Sequence, residues 1–363
     1  MSYNFFVNRI IPNNLGYNIY EYLYRSKLLN LNHNDKESYT IIGNGYFPKR
    51  ITIARNKNSE TEYKKIITKD IDDQISFTEK RINISKELIY FYPYEEFEYQ
   101  KSKFIYDYLK SKTNKNVKMI VNNNLLKEKN YYHFDLYRYD YFSIKKDYKI
   151  VYDFNKKFLF LNNKQHPVRD KIYDFIINHE EIEKNSSYSF IYKNIDLNKQ
   201  EINKNFYDIC EGEKCFYKTH SVFLEDDYLS NNIRHFFENS FLYIIAETNP
   251  FLPFNFLTEK TYKAFYHGMP FLLISSAYSL EHLKNLGFKT FNKWLDESYD
   301  KEKKIKSRLN MIFDEIKRIN NLSIDELIKI KKEMKETLEY NKNMYLSQMN
   351  SEFLKFFNGL INE

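Results

Sequence analysis

The chain has 363 residues, enough for two domains with separate cores, and carries 56 Lys and Arg against 49 Asp and Glu, a formal net charge of +7. Tyr (34) and Phe (31) are abundant while Gly and Pro number 7 each, and with the wealth of Asn, Lys and Ile this is the codon bias of an AT-rich genome, so aromatic content excludes little. No apolar run approaches the ~20 residues of a transmembrane helix and the start, MSYNFFVNRI, lacks the apolar region of a signal peptide, so a soluble, cytoplasmic protein is expected.

The first half reads as short strands with helices between them. Asn14-Leu15-Gly16 ahead of the segment Tyr17 to Leu29 predicts a strand-to-helix corner. Tyr39 to Ile42, Ile51 to Ala54, Leu88 to Tyr92 and Val117 to Val121 are β-rich runs of strand length, and Tyr94 to Lys112 has the pattern of an amphipathic helix, which makes a βαβ signature with the last two. Asp70-Ile71-Asp72 has the spacing of a metal-binding DxD pair, but it sits in a charge-rich stretch with no strong strand before it and is read as a solvated loop, so no metal is expected.

The excess positive charge lies in this half. Residues 1–150 hold 26 Lys and Arg against 18 Asp and Glu, a net +8, while residues 151–363 hold 30 against 31. The densest basic cluster runs from Lys101 to Lys118. Beyond it, YYHFDLYRYDYF at 131–142 interleaves aromatics with His133 and Arg138, which suits a nucleic-acid surface and equally a half-buried strand. A basic half points to a polyanionic partner such as duplex DNA; a lysine-rich solvated face fits the same count.

The second half opens with a strand at Lys157 to Asn162 and a helix from Val168 to His179, followed by runs at Tyr188 to Tyr192 and Cys215 to Val222 and a helix around Asp226 to Phe237. Cys210 and Cys215 have no second Cys or His pair nearby and are expected as free thiols in a reducing compartment. The apolar run Phe241 to Ala246 ends in Glu247-Thr248-Asn249-Pro250, and a loop then leads to Thr258, a good N-cap for a helix from Glu259 to Tyr266. Gly268 supplies the permissive C′ position, Pro270 stops the helix, and Phe271 to Ile274 reads as a buried parallel strand.

Strand, polar switch, loop and helix is the order that places a ligand at the carboxyl end of a parallel sheet. Glu259 in the first turn suits two ribose hydroxyls and Lys260 beside it suits a diphosphate, although Thr-Glu-Lys is also an ordinary helix start. His267 is expected as a cation at the helix C-terminus. Further on, Lys301 to Asn320 and Ile324 to Tyr345 are amphipathic, Ser323 to Glu326 has the form of a capping box, and Glu352 to Ile361 is the segment that would cross back to the first lobe.

The run from Ser240 to Ser276, followed by SLEHLKNLGFKTFNKWLDESYD, resembles the donor-binding half of a group of glycosyltransferases found in bacteriophages and bacteria. It is also similar, more distantly, to the signature of α1,3-fucosyltransferases, in which an acidic residue, Thr-Glu-Lys and Gly-x-Pro follow in order. Phe158 to Asn162, then Asn163 to Arg169 and a helix, is similar to the element that opens the donor domain in the phage group. The resemblance covers about residues 157 to 310, some two fifths of the chain.

It implies an α/β fold of two Rossmann-like domains facing a cleft, the GT-B arrangement: an acceptor domain at 1–152, a donor domain at 153–325, and C-terminal helices at 326–363 packing back on the first domain. It implies further that Glu247 and Glu259 hold the nucleoside, that Thr258 belongs to the donor site, that Lys260 and Arg169 bind the diphosphate, and that the donor is a UDP- or GDP-sugar used without a metal. Fucosyltransferases carry Glu-Asn-Ser shortly before the triplet, whereas here Glu238-Asn239-Ser240 precedes the strand, so base and sugar stay open. An inverting transfer needs a base from the first half, where Glu21, Glu95, Glu96, His133 and Asp135 are candidates, with Glu21 and Asp135 taken as the working pair. The favoured acceptor is a hydroxymethylated pyrimidine in phage DNA; the alternatives are a surface glycan or other cytoplasmic acceptor, or a non-catalytic nucleic-acid-binding module on a transferase-like scaffold.

Overall fold

Among the described residues, nine strands fall into two all-parallel sheets, one in each of the two units into which the chain divides, Met1–Ser143 and Ile144–Glu363. The computed structural model describes residues 5–7, 39–43, a set of positions between 61 and 76, then 87–92, 99–121, 128–133, 149–162, 165–190, 193 and 234–362. The first unit carries β1 (Phe5–Val7), β2 (Tyr39–Gly43), β3 (Glu87–Tyr92), β4 (Asn116–Val121) and β5 (Tyr131–His133), paired in that spatial order. Leu88, Ile89 and Tyr90 are consecutive and fully buried, as are Met119 and Ile120, because a parallel sheet is covered on both faces.

Helix α1 (Tyr99–Lys112) joins β3 to β4 and seats Ile105 and Leu109 in the core beside Ile67 and Ile71. Lys118, 2% exposed in the middle of β4, is compensated by the Glu87 carboxylate at 2.8 Å on the neighbouring strand. The expected loop at 70–72 is corrected: residues 71–73 are helical, Ile71 is core, and Asp72 accepts from the Tyr108 hydroxyl at 2.8 Å and pairs with Lys112 at 3.1 Å. The cause is the four-residue repeat Ile67, Ile71, Ile75, an apolar helical stripe hidden among charges. The predicted corner at 14–29, the run at 51–54, Glu21, Glu95, Glu96, Asp135, Arg138 and both cysteines lie outside the described residues.

The second unit pairs β7 (Ser186–Phe190), β6 (Lys156–Asn162), β8 (Ser240–Ala246) and β9 (Phe271–Ile274), in that order across the sheet. From β6 the chain moves outward through α2 (Pro167–Ile177) and α3 (Glu180–Lys184) to β7, then returns past β6 to β8 and goes on through α4 (Glu259–His267) to β9. The strand order therefore reverses between β6 and β8. In open α/β sheets, the crevice outside the carboxyl ends of strands at such a reversal is where ligands bind.

The remaining elements are α5 (Ser279–Asn285), a 3-10 turn (Ser298–Lys301), α6 (Ile305–Asn320), α7 (Ile324–Glu333) and α8 (Lys335–Asn362). Ser323 and Glu326 form the capping box of α7, and the single helix expected from Ile324 is divided at the buried Met334. Described side chains of the C-terminal helices make contacts within the second unit. Lys331 donates to the Ser240 carbonyl at 3.1 Å, Tyr345 stacks on Tyr262 of α4, and Asn341 exchanges hydrogen bonds with the Lys289 backbone. Among the described residues no helix is long and apolar enough to cross a membrane.

Candidate functional site

Helix α4 begins where its sequence dictates. Thr258 takes the extended N-cap conformation with its hydroxyl facing the Lys260 N–H, and Gly268 ends the helix in the left-handed region at φ 61°. Beneath the first turn lies Glu247, 0% exposed, the residue immediately after β8. Its Oε1 accepts from the Thr258 N–H at 2.9 Å and the Thr261 hydroxyl at 2.7 Å, and its Oε2 accepts from the Thr258 hydroxyl at 2.5 Å. Glu247, which the resemblance expects on ribose hydroxyls, turns both oxygens to the helix and ties the end of β8 to the start of α4.

Glu259 and Lys260 stand above that base. The Lys260 ammonium lies 2.8 Å from the Thr258 hydroxyl, 3.2 Å from Glu259 and 3.8 Å from Glu247, so one cation is shared by two carboxylates. Glu259 keeps 30% of its side chain exposed and Lys260 18%. Burial works to raise the Glu259 pKa, but the Lys260 charge and the hydrogen bonds of the first turn outweigh it and hold the carboxyl below its usual value. Glu259 is therefore an ionised acceptor at the crevice.

Across the reversal, the β6 side contributes its own groups. His166 N-caps α2, its Nδ1 accepting from the Val168 N–H at 3.3 Å; burial first, then the Arg169 charge, lowers its pKa and keeps that nitrogen free of a proton. Arg169, 4% exposed in the first turn of α2, donates to the Ala246 carbonyl at 3.2 Å, the last residue of β8. The His166 ring meets Phe251 of the following loop at 5.6 Å. The first contact ties α2 to the end of β8, and the second ties the residue that caps α2 to the loop after β8.

The carboxyl edge also carries polar atoms with no hydrogen-bond partner. Asn162 Oδ1 at the end of β6 and the Ser275 and Ser276 hydroxyls just after β9 are buried and unpaired. Buried polar groups are ordinarily satisfied, and an edge that leaves three open is suited to a ligand with hydroxyls or phosphate oxygens. A short way along, the loop 250–253, Tyr278, Lys303 and Arg308 line a cavity of about 330 Å³. Sequence reading passed over Arg308, which sits in KIKSRLN as one cation among many, and Tyr278, whose φ of 64° no local sequence signal announces.

His267 corrects another expectation. Its ring stacks on Phe237 at 4.1 Å, and burial together with the charges of Lys263, Lys342 and Arg234 pushes its pKa down to about 3. It is a neutral packing residue, not a helix-terminal cation. Among the described residues no three His, Cys, Asp or Glu side chains stand together as a metal site. Of the expected site residues, the structure gathers Glu247, Thr258, Glu259 and Lys260 into one cluster and puts Arg169 on the opposite side of the strand reversal. Comparison of the chain with protein-family models, curated proteins and solved structures finds no match.

Proposed function

We propose that the chain is a glycosyltransferase that draws on a nucleotide-activated sugar bound at the carboxyl edge of the second sheet. The observation that carries this reading is the strand reversal between β6 and β8, whose carboxyl edge holds Arg169, Glu259 and Lys260 together with buried polar atoms that no described residue satisfies. Carboxylate and cation side by side suit a ligand that is polyol at one end and anionic at the other. Glu259, ionised and partly exposed, accepts the hydroxyls. Thr258, Thr261 and Glu247 fix its helix turn.

In the transfer, an acceptor oxygen forms a bond to the anomeric carbon as the bond from that carbon to the diphosphate oxygen breaks. The acceptor proton passes to a carboxylate base, and the departing diphosphate gathers negative charge. Fixed cations beside it stabilise that charge without reorganisation, which is where such a site gains most. The acceptor is assigned to the first half on charge alone, the +8 of residues 1–150 favouring hydroxymethylated pyrimidine in DNA, with Glu21 and Asp135 as candidate bases.

The test is release of UDP or GDP from a panel of nucleotide sugars in the presence of hydroxymethylated duplex DNA. The wild-type chain turns over one donor, and Glu259→Ala and Lys260→Ala each lower the rate by about a hundredfold. Unchanged turnover in both variants would remove α4 from the donor site.

A further inference from the structure

Arg308, in the first turn of α6, is 2% exposed, yet only its Nη2 has a partner, the Pro250 carbonyl at 3.3 Å. Its Nε and Nη1 donate to nothing, and among the described residues no carboxylate lies within ion-pair distance of it. Asp300 and Glu302 act on its charge from beyond that distance, and Asp300 is already engaged, accepting from the Leu280 and Glu281 N–H groups at the start of α5. A buried guanidinium with two unsatisfied nitrogens and no close ion pair is costly, and the side chain lines the 330 Å³ cavity. Lys303 lines the same space and carries a second positive charge.

The mouth is aromatic. Phe251 is 56% exposed and Tyr278 38%, both lining the cavity. Tyr278 holds φ at 64°, fixed by its N–H to the Asp300 carbonyl at 2.6 Å. A strained bulky residue that presents a ring at a cavity mouth is commonly kept for a contact and not for stability. The volume lies at the lower end of small-molecule sites, roughly 300–1,000 Å³. Lys260, by contrast, already serves two carboxylates.

We infer that this cavity is a further phosphate-binding subsite of the chain: Arg308 and Lys303 hold the phosphate of a ring-bearing ester, and Phe251 and Tyr278 pack against its ring. The subsite does not depend on transfer taking place. Nucleoside monophosphates and sugar 1-phosphates share the required chemistry, and the test separates them. Thermal shift and calorimetry are run with UMP, GMP, glucose 1-phosphate and inorganic phosphate on the wild-type chain and on R308M, K303A and Y278N.

The wild type is expected to bind at least one ring-bearing phosphate more tightly than inorganic phosphate. R308M weakens all phosphates roughly tenfold or more, while Y278N, in which Asn tolerates the positive φ, weakens only the ring-bearing ones by about the same factor. If R308M does not fold, K303A and Y278N decide, since both positions are solvent-accessible. No shift of the wild type by any of the four, or binding to R308M as tight as to wild type, overturns the subsite; so do K303A and Y278N that both bind like wild type. Phosphate binding through Arg308 without nucleotide release from any nucleotide sugar keeps this subsite and removes the transferase reading.

Discussion

At the residue scale, the second unit owes its crevice to buried charges that are satisfied unequally. Glu247 satisfies three donors of α4, so Glu247→Ala leaves buried Thr258 and Thr261 groups without acceptors and should cost about 3 kcal/mol in urea unfolding, with Glu247→Gln costing clearly less. Equal costs for the two variants would mean that the carboxylate itself is required, since Gln keeps the packing and one acceptor oxygen. Lys331 is the reverse case, a buried amine whose pKa burial lowers from 10.5 to about 7. Between those values the unfolded chain holds a proton that the folded chain has released, so stability should rise with pH from about 7 to 10.5, and below 7 the burial cost is carried in full. Lys331→Met should flatten that rise, measured by urea midpoints at pH 7 and pH 9; an unchanged slope would assign it to other groups. Glu259 and Lys260 were legible in sequence because a helix start displays its first-turn charges. The partner that Glu247 serves was not, because the direction of a carboxylate at a strand end is set by the loop that follows it.

At the element scale, α4 and its flanking strands were the most legible part of the chain. Thr258, Gly268 and Pro270 each impose a local conformation, and Phe271 to Ile274 is too short and too apolar to be anything but a covered strand. The same C-terminus supplies a sharp test, because a Cβ built on Gly268 would lie 2.5 Å from Ile150 Cγ1 while φ stays at 61°. Gly268→Ala should therefore destabilise by about 2 kcal/mol or more, and by less in an Ile150→Ala background, where the overlap is relieved but the backbone strain persists. Additive effects of the two substitutions would show that the close approach does not matter. Elements governed by tertiary contact were less legible. The helical stripe Ile67, Ile71, Ile75 is masked by charged neighbours, and the division at Met334 has no breaker residue; α7 is anchored under β8 through Lys331 while α8 packs on α4 through Tyr345.

At the scale of the whole molecule, each unit builds its own parallel sheet, and the sequence carries opposite electrostatic characters in its two halves, a net +8 in residues 1–150 against a small negative balance beyond. If the basic half receives DNA, duplex binding should fall steeply between about 50 and 200 mM salt, as counterion release requires. Binding that is absent at low salt would direct the search to glycan acceptors. The parallel architecture was readable from contiguous apolar runs and their spacing, but the strand order was not. The reversal between β6 and β8, on which the site depends, comes from pairing across more than seventy residues and leaves no local trace.

The most direct measurement is a thermal-shift titration of the wild-type chain with nucleotide sugars, since a ligand that binds only the folded state raises the melting temperature with the logarithm of its concentration. The account predicts a concentration-dependent rise with at least one UDP- or GDP-sugar that is lost in Lys260→Ala and Glu259→Ala. A flat response across the panel, or a rise of the same size in both variants, would contradict it.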